Sequence, residues 1–355
     1  MCDLHSYETG RRPAVRTVPV EMAVGMALAH DVTEIRKDDF KGSAFKKGHI
    51  IRPEDISHLQ KLGKDHLFVL NITDDELHED DAACALAHAL MGEGVSINDV
   101  PKEGKVSIIA ARDGLLKINK AALSRFNQCN DVMCATLHDN TVVTRGRTVA
   151  GTRAIPLLLK RELLNAAVSV AKHSTPVISV KEMRRPRAGV VITGNEVYYG
   201  RIKDEFAPVI TRKIASFNGE IVGIYYAPDD EQFIAKRLRE LLQAGADLLI
   251  TSGGMSVDPD DVTRFAVREI GAADVAYGAA VLPGSMFQIA YIADLVPLLG
   301  IPACAMYHNT TVLDLVLPRI LAGERIGRME LAELGHGGLC LNCKECTYPV
   351  CPFGK

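Results

Sequence analysis

The sequence predicts an α/β fold in the second half of the chain, a three-layer, doubly wound, mostly parallel sheet preceded by smaller α+β domains. Strand-like and helix-like segments alternate regularly from Ala188 onward, which is the pattern of parallel strands joined by crossover helices. The segment ADLLITS is apolar almost throughout, as expected of a strand buried on both faces of such a sheet.

The length of the chain predicts several compact parts. At 355 residues it exceeds the usual size of one domain, so we expect more than one core. We predict an N-terminal α+β domain at 1–80, a middle α+β domain at 81–180, an α/β domain at 181–325 and a cysteine-rich tail at 336–355.

The first two parts carry short, mixed signals. A helix is predicted to end at Ser57–Leu62, because Gly63 follows it. A second helix, a linker or domain-edge helix, is predicted at Asp74–Gly94, and its acidic start is typical of a solvated first turn. In the middle part, VSIIAA predicts a strand at Val106–Ala111, and a helix is predicted at Leu158–Ala171.

Three arginines of the middle part lie close together beside glycines, and they leave two interpretations open. They belong to a solvated turn, or they hold an anionic ligand. The residues are Arg145, Arg147 and Arg153.

The α/β part gives the clearest local signals. The first strand is predicted at Gly189–Thr193, and the helix at Phe206–Phe217 is terminated by Asn218-Gly219. After the strand IVGIYYA, the segment DDEQFIAKRLRELLQAG predicts an amphipathic helix, because its apolar residues follow a helical spacing. These residues are Ile234, Leu238, Leu241 and Leu242.

Composition excludes some classes of function. The formal net charge is −3 with 47% hydrophobic residues, which gives no electrostatic argument for a nucleic-acid partner. With no tryptophan and 5% aromatic residues, platforms for base stacking are scarce. Apolar runs are far shorter than the roughly 20 residues that span a bilayer, and the N-terminus has no apolar signal region. We therefore expect a cytoplasmic protein that binds neither nucleic acid nor membrane.

The tail predicts a metal site. Four of the nine cysteines stand in it with the spacing C-x2-C-x2-C-x4-C-P, one residue longer than a bacterial ferredoxin run. These are Cys340, Cys343, Cys346 and Cys351. The spacing suits one [4Fe–4S] cluster, or else a Zn²⁺ ion, and free thiols remain an alternative. His336 is a substitute ligand or a loop residue.

Two polar, glycine-containing loops follow strands of the predicted sheet. They are TGNEVYYGRIKDE and TSGGMSVDPDD, and ligands of such sheets bind beyond the carboxyl ends of the strands. In the second loop, Gly253 and Gly254 permit close approach of the backbone to a ligand, and Ser252 and Ser256 can donate hydrogen bonds. Asp258, Asp260 and Asp261 then either hold Mg²⁺ against a phosphate or cap the following helix.

Together, LLITSGGMSVDPDDVT and ITGNEVYYGRIKDEFAPVI resemble one known family. It is the molybdopterin-binding domain shared by molybdopterin adenylyltransferases, molybdopterin molybdenumtransferases, gephyrin and the competence-damage-inducible proteins. The resemblance covers roughly residues 186–325. It implies a three-layer α/β domain that binds the pterin dithiolene and its phosphate, as a homo-oligomer.

The resemblance also implies roles for individual residues. Thr193, Gly194 and Glu196 match the first-loop motif, and Asp204 matches the acid that follows it. Asp261 matches the functional acid, so the implied catalytic residues are Asp261, Glu196 and Asp204. The residues that match or flank the cofactor-binding motifs are Thr193, Gly194, Ser252, Gly253, Gly254, Ser256, Asp258, Pro283 and Gly284.

The sequence departs from the molybdenumtransferase pattern in three places. GIPACAMYHNTT at Gly300–Thr311 replaces a Leu-Pro-Gly-Asn turn, Glu205 and then Phe206 follow Asp204 where an asparagine is frequent, and the N-terminal half lacks the Ser-Ala-Met-Asp-Gly-Tyr signature. Cys304 and His308 lie in the altered segment, where they act as ligands or serve packing.

These observations predict a protein of molybdenum cofactor biosynthesis. The expected activity is Mg²⁺-dependent molybdate insertion, or a related transfer on a pterin phosphate, with an apo-molybdoenzyme or another protein of the pathway as partner. Two alternatives remain. One is a non-catalytic carrier or sensor of the cofactor, and the other is a nucleotide or pyrophosphate hydrolase of the competence-damage type.

Overall fold

The computed structural model of the protein describes residues 16–36, 40–70, 74–97, 101, 104–173, 176–254, 262–293 and 295–355. The chain divides into two compact units. The first comprises Met1–Arg112, Lys117–Leu137 and Thr144–Val180, and the second comprises Asp113–Leu116, His138–Val143 and Lys181–Lys355. The predicted boundary near residue 80 stays a prediction.

Short strands and helices alternate up to Lys181. They are β1 (Arg16–Pro19), β2 (Val32–Arg36), β3 (Phe40–Phe45), α1 (Ile56–Lys61), β4 (His66–Val69), β5 (Glu76–His78), α2 (Glu79–Leu90), β6 (Val95–Ile97), β7 (Lys105–Ala110), β8 (Gly114–Ile118), α3 (Lys120–Asn127), β9 (Val132–Thr136), β10 (Val142–Val143), β11 (Thr148–Ala154), β12 (Leu158–Lys160), α4 (Arg161–Lys172) and β13 (Ile178–Lys181).

Small antiparallel sheets organise the first unit. β1 pairs with β4, and β2 pairs with β3. A larger sheet has the order β6-β7-β11-β9, and α2 lies against it with Ala82, Ala83, Leu86 and Leu90 buried. This unit is of the α+β kind that the short, mixed signals predict.

Two predicted helix starts are wrong, for one shared reason. Leu158–Lys160 and Glu76–His78 are strands rather than helix starts, and they pair antiparallel as β12 and β5. The helices therefore begin later, at Arg161 and Glu79. This pairing joins segments far apart in sequence, so no local pattern in either segment signals it.

A buried histidine of the first unit has a lowered pKa. His78 is 2% exposed, its Nε2 lies 2.7 Å from the carbonyl oxygen of Ala29, and its Nδ1 accepts a hydrogen bond from the Asp80 N–H. Burial lowers the pKa of His78, and Lys47 acts in the same direction, against opposing contributions from the Ala29 carbonyl, Asp80 and Asp81.

We expect the free energy of unfolding to fall as the pH falls below about 6.5, the ordinary histidine pKa. The unfolded chain takes up a proton there that folded His78 binds only at lower pH, so the stability is complete above that pH and is lost below it. Urea denaturation at a series of pH values should show a shallower acid slope for His78→Gln. Equal slopes for variant and wild type would contradict this role.

The second half of the chain forms the predicted α/β domain. Its elements are β14 (Arg187–Thr193), α5 (Asn195–Tyr198), α6 (Phe206–Ala215), β15 (Glu220–Ala227), α7 (Glu231–Gln243), β16 (Leu248–Ser252), α8 (Thr263–Glu269), β17 (Ala272–Tyr277), β18 (Gln288–Ile292), β19 (Val296–Ile301), α9 (Val312–Leu321) and α10 (Arg328–Glu333). Among the described residues, no helix combines the length and the apolar character needed to cross a membrane.

The sheet of this domain is mostly parallel, with the strand order β15-β14-β16-β19-β18-β17. β14, β15, β16 and β19 run parallel, whereas β17 and β18 add an antiparallel edge. From β14 the chain crosses to β15, which is its neighbour on one side. From β16 it crosses to β17, which lies at the opposite edge of the sheet. The carboxyl ends of β14 and β16 thus form a topological switch point, the usual place for a ligand.

Helices cover both faces of the sheet. Val190 and Ile192 share a core with α6 and α9, while Val191 between them packs with Leu238 of α7 and Ala266 of α8 on the other face. This alternation follows from the two-residue period of a strand. The predicted three-layer α/β architecture is confirmed.

Candidate functional site

A cleft of about 510 Å³ opens at the switch point. Loops that follow three of the parallel strands, together with a turn before β18, form its wall. The lining residues are Thr193, Glu196, Phe206, Gly253, Gly254, Leu282, Pro283, Gly284, Ser285, Met286, Pro302, Ala303, Cys304 and Met306. The first predicted loop, the Gly-Gly loop and the Pro-Gly turn therefore meet in one place.

A buried threonine joins the two predicted loops. Thr193 ends β14 and is 2% exposed. Its hydroxyl donates to the Ser252 carbonyl at 3.0 Å, and its oxygen lies 2.8 Å from the hydroxyl oxygen of Thr263 at the start of α8. Thr193 thus fixes the positions from which both loops enter the cleft.

The two glycines approach Thr193 and Thr263 too closely for a side chain. A Cβ atom on Gly253 would lie 2.2 Å from the carbonyl oxygen of Thr193, and one on Gly254 would lie 2.3 Å from the hydroxyl oxygen of Thr263. Both glycines also have positive φ, +86° and +56°, which side-chain-bearing residues rarely adopt. Glycine at these positions is therefore a structural requirement.

Two buried hydroxyls lie just before the glycine pair. Thr251 and Ser252 are fully buried, and neither hydroxyl has a hydrogen-bond partner within the described residues. A buried polar group without a partner is costly, so such groups point to a partner outside the described set. Ser256, Asp258, Asp260 and Asp261, which the sequence assigns to the same loop, lie outside the described residues.

The two predicted acids of the first loop have different positions. Glu196 lines the cleft. Asp204 is not among the lining residues, and its carboxylate accepts hydrogen bonds from the N–H groups of Phe206 at 2.8 Å and Ala207 at 3.1 Å. Asp204 therefore anchors the start of α6, which places Phe206 in the cleft wall, and a catalytic role for it stays a prediction.

The altered segment after β19 forms the remaining wall. Ala303–Met306 is a single 3-10 turn, and Cys304 within it lines the cleft. Burial raises the pKa of the Cys304 thiol. The residue therefore presents a neutral thiol to the cleft near neutral pH, and a neutral thiol is a weak hydrogen-bond donor rather than a nucleophile.

All four tail cysteines line a second cavity, of about 320 Å³. The segment Tyr307–Thr310 forms part of its wall, together with Tyr348 and Phe353. Cys343 and Cys346 are exposed, and Cys340 and Cys351 are half-buried. Within the described part of the chain, no group of three or more His, Cys, Asp or Glu side chains is close enough together to hold a metal ion.

Sequence reasoning missed the apolar part of the cleft wall. Phe206, Leu282, Met286 and Met306 line it, yet none carries a chemical signal of its own. A clue in the sequence was their position beside Asp204, the Pro-Gly turn and Cys304, which the sequence had already singled out. His308 belongs to the wall of the cysteine cavity rather than to the cleft, and Arg145, Arg147 and Arg153 line neither cavity.

The fold and the cleft define an open α/β domain with a candidate ligand site at the carboxyl ends of its strands. Residues 189–322 match the family described as a probable molybdopterin binding domain, as the two loop motifs predicted. Residues 17–71 match a domain of unknown function.

Curated relatives match a short part of the chain. A CinA-like protein of Mycobacterium avium is 38% identical over 89 residues, which are 24% of this chain and 20% of that protein. A CinA-like protein of Mycobacterium tuberculosis is 37% identical over 89 residues, 24% of this chain and 21% of its own length. The chain thus spans about a fifth of the length of these relatives.

Solved structures give weaker likenesses. The molybdopterin biosynthesis enzyme MoaB from Thermus thermophilus has 23% identity and a TM-score of 0.33, covering 39% of this chain and 98% of its own. The protein CinA from Thermoplasma acidophilum has 17% identity and a TM-score of 0.31, covering 34% of this chain and 89% of its own.

Proposed function

We propose that the cleft binds molybdopterin and that the protein acts in molybdenum cofactor biosynthesis. The observation that supports this most is the convergence in one cleft of Thr193 and Glu196, Gly253 and Gly254, and the turn Pro283-Gly284. These segments are far apart in the chain, and each matches a motif of the molybdopterin-binding family.

The chemistry of the cleft fits a pterin phosphate. Gly253 and Gly254 line the cleft, and the buried hydroxyls of Thr251 and Ser252 just before them have no hydrogen-bond partner among the described residues. Backbone N–H groups and hydroxyls are the groups that bind phosphate oxygens. Phe206 and Met306 add apolar surface, which suits a flat heterocycle.

For the activity we propose Mg²⁺-dependent molybdate insertion, or a related transfer on the pterin phosphate. Glu196 supplies one carboxylate to the cleft, and Asp258 and Asp261, outside the described residues, would supply the others. Carboxylate oxygens are the ligands that Mg²⁺ prefers, and the ion would offset negative charge on phosphate and molybdate. Asp204 is the third catalytic acid that the family resemblance implies, and in the structure its carboxylate anchors the start of α6.

We also propose that the tail binds a [4Fe–4S] cluster, or failing that Zn²⁺. The presence of all four cysteines in the wall of one cavity supports this, because four thiolates are the donor set that both groups use. The sulfur atoms have to move closer together on binding, and the exposure of Cys343 and Cys346 leaves them room to do so.

A carrier or sensor that holds the finished cofactor is the second candidate. The neutral thiol of Cys304 stands in the altered segment, where the molybdenumtransferase pattern has a different turn, and this favours binding without insertion. In either case we expect a cytoplasmic homo-oligomer that delivers to an apo-molybdoenzyme or another protein of the pathway. The likeness to CinA-like proteins keeps nucleotide or pyrophosphate hydrolysis as a competing activity.

The deciding experiment is anaerobic incubation with molybdopterin, followed by gel filtration and fluorescence of the oxidised pterin. We expect pterin to elute with the protein in a stoichiometric amount. Analysis of iron, sulfide and zinc in the same fractions tests whether the cysteine-rich tail binds a cluster or a zinc ion. Absence of pterin, combined with hydrolysis of a dinucleotide pyrophosphate, would overturn the proposal in favour of the hydrolase.

A further inference from the structure

The cysteine cavity and the cleft share one continuous segment of chain as a wall. Pro302, Cys304 and Met306 line the cleft, and the next residues, Tyr307–Thr310, line the cysteine cavity. The N–H groups of Tyr307 and His308 both donate to the Cys304 carbonyl at 3.1 Å, and α9 begins at Val312. The two cavity walls are therefore consecutive parts of one segment, joined by backbone hydrogen bonds.

A second connection joins the tail to the Pro-Gly turn. The N–H of Leu282 donates to the Gly338 carbonyl at 2.8 Å, and the N–H of Cys340 donates to the Leu282 carbonyl at 2.8 Å. Leu282 itself lines the cleft. The first cysteine of the motif is therefore hydrogen-bonded through its own backbone to a residue of the cleft wall.

Side chains hold the rest of the tail against the same domain. The Thr310 hydroxyl oxygen lies 3.4 Å from the Cys346 sulfur, and the Tyr348 hydroxyl donates to the Asp314 carbonyl at 3.3 Å. Phe353 is 3% exposed and packs in the core beneath the sheet. The tail is thus an integral part of the second unit, and a displacement of its cysteines is transmitted to their neighbours.

Metal binding requires such a displacement. No group of three or more potential ligands in the described ranges is assembled for a metal ion, whereas thiolate ligands have to lie about 2.3 Å from a bound zinc. The sulfur atoms must therefore converge. Because Cys340 is hydrogen-bonded to Leu282 and Cys346 to Thr310, convergence acts on both segments that continue into the cleft wall.

We infer that metal binding in the cysteine cavity and ligand binding in the cleft are energetically coupled, so that the metal state of the tail regulates the affinity of the cleft for pterin. This inference rests on the proposed function of the cleft. Coupling between two sites is reciprocal, so the same factor must describe the effect of pterin on metal affinity.

The test compares the full-length protein in three states, namely metal-free, loaded with Zn²⁺, and reconstituted anaerobically with iron and sulfide. Molybdopterin affinity is measured by fluorescence titration, and zinc affinity by competition with a chromogenic chelator, with and without pterin. We expect one of the loaded states to differ from the metal-free state by about fivefold or more. With zinc, we expect the change in metal affinity to match the change in pterin affinity.

Variants separate the coupling from the binding events. Thr310→Val retains all four cysteines and should bind metal, but with a smaller coupling factor. Cys343→Ser combined with Cys346→Ser should remove metal binding and the effect of metal on pterin. Cys129→Ser is the control, because Cys129 follows α3 in the first unit and lies outside both cavities. This variant should behave as wild type.

Each contrary result has a separate meaning. Stoichiometric metal with unchanged pterin affinity would overturn the coupling and leave the proposed function standing. Absence of metal in every state would overturn the coupling together with the tail site. Absence of pterin binding in every state would overturn the proposed function itself, and the coupling with it.

Discussion

Substitution of Gly253 by alanine is expected to weaken molybdopterin binding by at least about tenfold and to destabilise the α/β domain by about 2–4 kcal/mol. The new Cβ would lie 2.2 Å from the carbonyl oxygen and 2.8 Å from the hydroxyl oxygen of Thr193. Thr193 cannot move away, because it ends β14, which is paired with β15 and β16 on its two sides. The Gly-Gly loop must therefore shift, and the wall of the cleft shifts with it.

Thermal denaturation and pterin fluorescence titration measure these two effects. Gly271→Ala is the matched control, because Gly271 also has a positive φ, +75°, but the added Cβ would meet no described atom within 4 Å. It should show the backbone cost alone, about 1 kcal/mol, with unchanged pterin affinity. Equal losses in the two variants would show that contact with Thr193 has no part in shaping the cleft.

Substitution of Asp261 by asparagine is expected to abolish molybdate insertion while leaving pterin affinity within about threefold of wild type. Asparagine keeps the size of the side chain and one oxygen acceptor but removes the charge, and we propose that this charge holds Mg²⁺. A carboxylate that acts on the ion and on the reacting oxyanion matters most in the transition state. The rate of insertion should therefore fall far more than the affinity for pterin.

The rate of insertion is measured in a single turnover with molybdate and Mg²⁺, and the affinity for pterin is measured by equilibrium titration. Asp274→Asn, on β17 and outside the cleft, controls for the loss of one negative charge from the domain. An unchanged rate of insertion by Asp261→Asn would contradict a catalytic role for Asp261 and favour a non-catalytic carrier of the cofactor.

Much of the α/β domain was predictable from local patterns. The apolar stripe containing Ile234, Leu238 and Leu241 predicted helix α7, and these three residues are buried against the sheet. The apolar run of β16 predicted a strand covered on both faces, and its five residues are all buried. Such signals are local, because the period of side-chain burial in a helix or a strand depends only on neighbours along the chain.

Part of the site was also predictable. Glycines at 253 and 254 after a buried strand predicted a close approach of the backbone to a ligand, which stays a prediction, and the structure places both glycines in the cleft wall. The rule that ligands bind at the carboxyl ends of parallel strands predicted that both loops lie at the ligand-binding edge of the sheet. The structure makes β14 and β16 neighbours, so the two loops meet. The chemical roles of Glu196, Asp204 and Asp261 stay predictions.

The sequence by itself therefore determined the alternation of strands and helices, the family of the α/β domain and the loops that face its cleft. Tertiary structure alone decided that β5 and β12 pair and that the cysteine cavity shares a wall with the cleft. Each of these depends on contacts between segments distant in sequence. Such contacts arise from packing and pairing that no local period encodes.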